Sequence, residues 1–345
     1  MTSPLWTVLR CTQESLFTNI WRVILRESKN GMQRNSCRNY NLQARTEPKV
    51  SFEIRSIREA DIPQVMELRR QLKVHDVASS LSSWMKIDPE GIKVALNENE
   101  EIIGSCSFVR NHPNLYFGGL YCVQPKYRSL NVGYEIFNAC LDHTMGKNKS
   151  ANAVFSMAEK YQRSGDFPIV EDEYVALKNF IPHRINSESL SCIDSADGIE
   201  IETYQDCLLP SMIQYDASVV GYTREHTLEL NCKEEDSKTF VAFKNGTCIG
   251  FGSIKKSCLG AARVGPLYAD NQIIAEVLLT RLIESFPGMK GLAMMTVGSN
   301  VPANNFLKKL GNANTEACLR IYGKEKVKAN MSKIYAFLDF NFSAF

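Results

Sequence analysis

From Val50 onward the chain alternates between two spacings of apolar residues, and the switches between them mark the elements. VSFEIRSI alternates with period two and predicts a strand. Asp61 then stands three residues before Gln64, with Pro63 inside the first turn, a capping-box start for a helix whose apolar side carries Ile62, Val65, Met66 and Leu68. GIKVALN and EIIGSCSFVR predict two strands joined by the polar turn Glu98 to Glu100. Asn114 to Val123 is apolar on both faces, as a central strand must be. Val132 to Met145 has helical spacing, 146–150 is a polar break, Asn152 to Met157 is a short strand, and Tyr174 to Phe180 falls in a helical patch.

The polar stretch DSADG, ending at Gly198, interrupts this run, and then the pattern restarts. IEIETY predicts a strand, Asp206 to Val219 a helix, and TFVAFKN with GTCIGFGSIKK a hairpin. Strand, helix, strand, helix and strand follow over Ala261 to Tyr268, Ile273 to Phe286, GLAMMTV, Val301 to Leu310 and TEACLRIYG. The two hairpins share residues at matching places: Val94-Ala95, Ile103-Gly104 and Ser107 in the first, Val241-Ala242, Ile249-Gly250 and Ser253 in the second. A shared order of elements after matching hairpins predicts an internal duplication. The expected division is an N-terminal extension (1–49), a first domain (50–193), a second domain (198–325) and a C-terminal tail (326–345).

At 345 residues the chain suits two domains of ordinary size. A net charge of +2 argues against a nucleic-acid partner or an acidic polymer, and no apolar run is long enough to span a membrane. The eleven cysteines include no CxxC pair, so they read as buried free thiols in a reducing compartment, and no metal cluster is expected. The first fifty residues are rich in arginine and poor in acids, with Leu5, Leu9, Leu16, Ile20, Val23 and Ile24 near one helical face. This resembles a mitochondrial transit segment; the alternative is a cytoplasmic protein with an extension that carries no address.

The strand-to-helix junction Tyr121 to Tyr134, YCVQPKYRSLNVGY, carries the candidate chemistry. The first turn of a helix offers unpaired N–H groups and the positive end of the dipole, which attract phosphate. Successive amides from Ser129 through Leu130, Asn131, Val132 and Gly133 to Tyr134 could wrap a pyrophosphate. Asn131 tolerates left-handed dihedrals, Gly133 allows close approach, and Arg128 can add a charge-assisted contact. An ordinary strand-to-helix turn with a surface arginine is the bland alternative.

The V-x-P-x-Y-R-x-x-N-x-G pattern resembles motif A of the GCN5-related N-acetyltransferase (GNAT) superfamily. Arg128 and Gly133 match its loop, and Asn131 replaces the usual first glycine. IRSIREADIPQVMEL resembles the family's first strand and helix, AEKYQRSGDF a worn motif B, and NVPANNFLKKLG a second motif B. The loop GPLYADNQ lacks the arginine and the glycines, and Asp270 would repel a pyrophosphate, so the second half is expected to keep the fold without the cofactor site. The arrangement is similar to the tandem GNAT acetyltransferases related to bacterial YitH, on Gly265, Pro266, Ala269, Asp270, Arg320, Tyr322 and Gly323, with Asp216, Gly221 and Arg224 upstream.

The resemblance implies an α/β (α+β) fold of two tandem GNAT-like domains, each a mixed central sheet flanked by helices. It implies acetyl-CoA or another acyl-CoA as co-substrate, without a metal. The strand edge at Cys122 and Val123 would pair with the pantetheine amides, and Tyr161 would protonate the leaving thiolate. For the base, Glu159, His112, His75, Asp76 and a water are all open. The expected activity is transfer of an acetyl group to a small primary amine, such as an amino acid or polyamine, by direct attack in a ternary complex. The alternatives are a longer acyl-CoA and an acyl-CoA-binding sensor or scaffold without turnover. The acceptor is expected between the halves, where Tyr222, Arg224 and His226 could line a cleft.

Overall fold

The computed structural model describes residues 50–183, 185, 187–190 and 198–345. The candidate transit segment, and the DSADG boundary up to its glycine, lie outside the described residues. The first half runs β1 (Glu53–Ser56), α1 (Ile62–Gln71), α2 (Ala78–Ile87), β2 (Ile92–Leu96), β3 (Ile102–His112), β4 (Leu115–Val123), α3 (Val132–His143), β5 (Asn148–Val154), α4 (Phe155–Arg163), β6 (Ile169–Val170) and β7 (Ala176–Ile181). The second half repeats the order: β8 (Glu200–Thr203), α5 (Leu209–Val220), α6 (Glu225–Lys233), β9 (Lys238–Lys244), β10 (Thr247–Lys256), β11 (Ala262–Ala269), α7 (Gln272–Glu284), β12 (Leu292–Val297), α8 (Val301–Leu310), β13 (Asn314–Tyr322) and finally β14 (Ile334–Ala336).

The duplicated hairpins match in register as well as in residues. Ala95 faces Gly104 across β2 and β3, and Ala242 faces Gly250 across β9 and β10. The start of α1 differs from the expected capping box. A 3-10 turn over Glu59–Asp61 precedes the helix, and the Asp61 carboxylate reaches back to the Arg58 N–H at 2.7 Å and pairs with Arg55. Gln64 instead accepts the Ile102 N–H at 3.1 Å, pinning α1 to β3.

The halves share one sheet, in the order β1-β2-β3-β4-β5-β13-β7-β12-β11-β10-β9-β8. Each half gives its last long strand to the other. β13 lies antiparallel on β5, with Cys318 opposite Val154, and β7 lies antiparallel on β12, with Ala176 opposite Val297. The exchanged strands pair with each other in the middle, Asn179 opposite Thr315. The expected helical patch over Tyr174 to Phe180 is therefore strand β7. Its apolar residues fit helical spacing by accident, because an interior strand is apolar on both faces. The expected break at 146–150 ends earlier, since β5 begins at Asn148.

The expected C-terminal tail is no appendage, since residues 334–345 are buried throughout. Asp339 pairs with Arg263 at 2.7 Å, and Arg320 donates to the Ala344 carbonyl at 2.6 Å. Phe337, Phe340, Phe342 and Phe345 join a core that also holds Trp84, Met212 and Leu228 from the helices of both halves. At about 25 cal/mol per Å², each buried phenylalanine favours this seating by roughly 2 kcal/mol.

Candidate active site

β4 and β5 run parallel, but their ladder covers only Leu115–Gly118 against Asn148–Ala151. Beyond Gly118 the two strands splay apart. β4 stays paired with β3 on its other side, Cys122 opposite Ser105 and Val123 opposite Gly104, so its splayed edge is available to an extended ligand with amide groups. The change of direction is built on Leu120, which sits at φ 52° in the middle of the strand.

The strand then feeds the loop. Arg128 is exposed and donates from Nε to the Val123 carbonyl at 3.2 Å, which sets its guanidinium beside the splayed edge. Ser129 and Asn131 are left-handed, at φ 63° and 65°. Asn131 is the N-cap of α3, its carbonyl accepts from Glu135 N at 3.0 Å, and its side chain does not cap the helix. Val132, Gly133 and Tyr134 are the first three helical residues, whose N–H groups have no acceptor within a helix. Leu130 is half-buried beneath the loop. The loop reaches left-handed geometry with serine and asparagine where glycine would be cheaper, at about 1–2 kcal/mol per residue.

Gly133 has a second reason to lack a side chain. A Cβ there would lie 2.5 Å from the Tyr121 hydroxyl. Tyr121, 38% exposed, starts an aromatic ladder along the splay: its ring meets Phe137 at 5.9 Å, Phe137 stacks on Tyr161 at 5.5 Å, and Tyr161 meets Phe167 at 6.0 Å. Tyr134 and Phe155 flank the same opening with 54% and 39% of their surface exposed. Large apolar groups left open together mark a binding surface. Burial, and then the nearby Tyr121, push the Tyr161 phenol above its ordinary value, so it remains protonated. Phe137 and Phe155 were not legible as site residues, because aromatic residues on helices ordinarily read as core.

The other side of β4 is occupied by the chain itself. A Cβ on Gly119 would strike the Asn341 backbone, 2.1 Å from its carbonyl oxygen. Asn341 accepts from the Leu120 N–H at 3.2 Å through Oδ1 and donates to Asp76 Oδ1 at 2.7 Å. Asp76 is buried in a charge-assisted pair with Arg69. Burial pushes the Asp76 carboxyl up, but Arg69, Arg263 and Asn341 outweigh it and hold the group below the usual carboxylate range. Cys122 points into this buried network, with its sulfur 3.1 Å from Ser105 Oγ.

Of the other candidate bases, Glu159 is exposed and paired with Arg163. His112 packs on Tyr222 with rings 5.4 Å apart. His75 lies 3.2 Å from Ser257 and 4.0 Å, ring to ring, from Phe180. The expected cleft of Tyr222, Arg224 and His226 does not form. Tyr222 is half-buried, and His226 is exposed on α6, with 61% of its side chain open. Arg224 is fully engaged by Asp216, Tyr268, Ser343 and Phe345.

The second half has the same splay in a different condition. β11 and β12 pair over Ala262–Val264 and Leu292–Met294 and then separate. β14 lies in the gap, with Tyr268 opposite Ile334 and Leu267 opposite Ala336, and Phe337 N reaches the Met295 carbonyl at 2.9 Å. The start of α7 is closed by its own residue, because Asn271 accepts the Ile274 N–H at 3.2 Å. Asp270 beside it is held by Tyr215 at 3.0 Å and Lys333 at 2.8 Å. A strand of the chain thus fills this opening, whereas among the described residues no strand fills the one in the first half.

Residues 212–336 match the family described as an acetyltransferase (GNAT) domain. The second half is thereby assigned to the GNAT acetyltransferase domain family. The family match falls on the half whose splay is filled. Among curated proteins, a holothin acyltransferase from Pseudoalteromonas sp. (strain SANK 73390) is 24% identical over 261 residues, 73% of this chain and 81% of that protein. A putative acetyltransferase from Pyrococcus horikoshii superposes with a TM-score of 0.64 at 17% identity, over 90% of this chain and all of the other. A tandem GNAT protein from the clavulanic acid biosynthesis pathway gives 0.56 at 11% identity, over 79% and 98%. These GNAT structures support the fold, with its large mixed sheet and flanking helices.

Proposed function

We propose that the first half of this GNAT acyltransferase binds one acyl-CoA and transfers its acetyl group directly to a small primary amine. The observation that carries this reading is the contrast between the halves. Among the described residues one splay is open, rimmed by aromatic residues and continued by a left-handed loop at a helix start that its N-cap side chain does not close; the other is filled by β14 and self-capped. The splayed edge at Cys122 and Val123 suits the amides of pantetheine. The N–H groups of Ser129 to Tyr134, with Arg128, suit the pyrophosphate.

An acyl-CoA supplies an activated thioester. This chain's part is to hold that thioester and the amine in line, which is where most of the rate arises. The nitrogen–carbon bond forms as the carbon–sulfur bond breaks, the nitrogen gives its proton to water, and Tyr161 protonates the departing sulfur. A phenol held protonated by burial is a suitable donor.

A longer acyl chain is the second reading. Tyr121, Tyr134 and Phe155 offer more open apolar surface than an acetyl group uses, and the curated relative is named an acyltransferase without reference to acetyl. Thermal unfolding with acetyl-, benzoyl- and palmitoyl-CoA, paired with mass detection of product, tests both. We expect acetyl-CoA at a hundred times its Kd to stabilise the protein by about 2.7 kcal/mol. Preference for benzoyl- or palmitoyl-CoA replaces acetyl with the longer chain. No stabilisation by any of the three sinks the proposal.

A further inference from the structure

We infer that the acceptor is a small amino acid with an apolar side chain, and that it binds in the cavity of about 340 Å³ where the exchanged strands meet the α1–α2 loop. The inference rests on the acyl-CoA reading of the first half and names the substrate class that would meet it.

Position supports the assignment first. The cavity is lined by His75 from the loop, Phe180 from β7 and Phe340 from the C-terminal segment. The chain neighbours of two of these, Asp76 and Asn341, hydrogen-bond each other, and Asn341 bonds the Leu120 N–H where β4 leaves β5. Asn341 Cα lies 2.5 Å from the place of a Gly119 Cβ, so Phe340 Cα is within about 8 Å of the Gly119 backbone. The cavity and the splayed strand are therefore neighbours, joined by one hydrogen-bonded chain. Arg224 and its partners cannot serve instead, because their polar groups are already satisfied within the protein.

The lining then selects the chemistry. The volume is at the small end for ligand sites and suits a molecule of amino-acid size. Phe180 and Phe340 give an apolar wall. Lys73 and Lys178 stand at the rim with one carboxylate, Glu316, which already pairs with Lys178 at 3.2 Å. Burial holds the His75 ring below its ordinary pKa and so neutral at pH 7, which leaves the lining with one net positive charge. Such a rim favours a carboxylate on the acceptor and disfavours a polyamine, whose several positive charges would meet Lys73 and Lys178.

Product formation by the full chain tests this, with acetyl-CoA and matched pairs of acceptors: leucine against isoamylamine, phenylalanine against phenethylamine, and spermidine beside them. We expect each amino acid to exceed its decarboxylated partner at least tenfold in kcat/KM, and spermidine to be poorest. Lys73→Glu, at an exposed position, should raise the amino-acid KM about tenfold or more and leave the KM of phenethylamine unchanged. Phe180→Trp should raise the KM of both, with the acetyl-CoA Kd within twofold of wild type. The inference is overturned if acetyl-CoA binds but no amino acid is acylated, if the amines or spermidine are preferred, or if both variants leave every acceptor KM unchanged. If acetyl-CoA does not bind, the acyl-CoA reading fails and this inference fails with it.

Discussion

Replacing Asp216 by alanine should be among the most damaging single changes in the second half. Asp216 and Arg224 have 1% and 2% of their side chains exposed. They meet through two bonds, Nε to Oδ2 at 2.9 Å and Nη2 to Oδ1 at 2.8 Å. Burial opposes the Arg224 charge, but the Asp216 carboxylate outweighs it, with the Tyr268 phenol contributing, so the guanidinium stays charged. Removing the carboxylate leaves a buried cation without its bidentate partner, held only by the Tyr268 and Ser343 hydroxyls and a main-chain oxygen of Phe345. Breaking a buried pair in this way costs about 3–5 kcal/mol, because the unpaired charge remains. With an m-value of about 2–3 kcal/mol per M in urea, the unfolding midpoint should fall by roughly 1–2 M. Adding Arg224→Met removes the stranded charge, so the double variant should be more stable than Asp216→Ala alone. The reasoning is refuted if the single variant costs less than about 1 kcal/mol, or if the two substitutions are simply additive.

Two further outcomes follow from the site. Tyr161→Phe should lower kcat by about 10²-fold or more and leave the acetyl-CoA Kd within twofold; a kcat within twofold of wild type removes Tyr161 as the proton donor. Asp76 has a native pKa below its unfolded value, so its contribution is full above the unfolded carboxylate value and is lost as pH falls through the native one. Urea midpoints of wild type and Asp76→Asn should therefore differ most near pH 7 and converge below pH 4; a constant difference over that range contradicts the assignment.

The left-handed Asn131 and the helix start at Val132 were legible because their requirements are local: asparagine tolerates that geometry, and the apolar spacing marks where the helix begins. The hairpin match was legible for a similar reason, since Ala95 with Gly104 and Ala242 with Gly250 are short-range pairs. Strand exchange was not, because period and composition announce a strand without naming its neighbour. β7 was hidden further by apolar residues that also fit a helix. The C-terminal segment was misread as a tail because Asp339, Asn341 and Ser343 make LDFNFSAF look polar. Each finds a buried partner far away in the sequence: Arg263, Asp76 and Arg224. Tyr161 could be proposed from its spacing to Gly165, but its place on Phe137 could not, because that contact joins two helices.

Calorimetric titration of the full chain with acetyl-CoA tests the central claim most directly. One site per chain is predicted. Arg128→Ala should weaken it about tenfold or more, the loss of a charge-assisted contact of about 1.5–3 kcal/mol, and Asn271→Ala in the filled half should leave it unchanged. Two sites per chain, no site, or sensitivity to Asn271→Ala but not to Arg128→Ala would contradict the account.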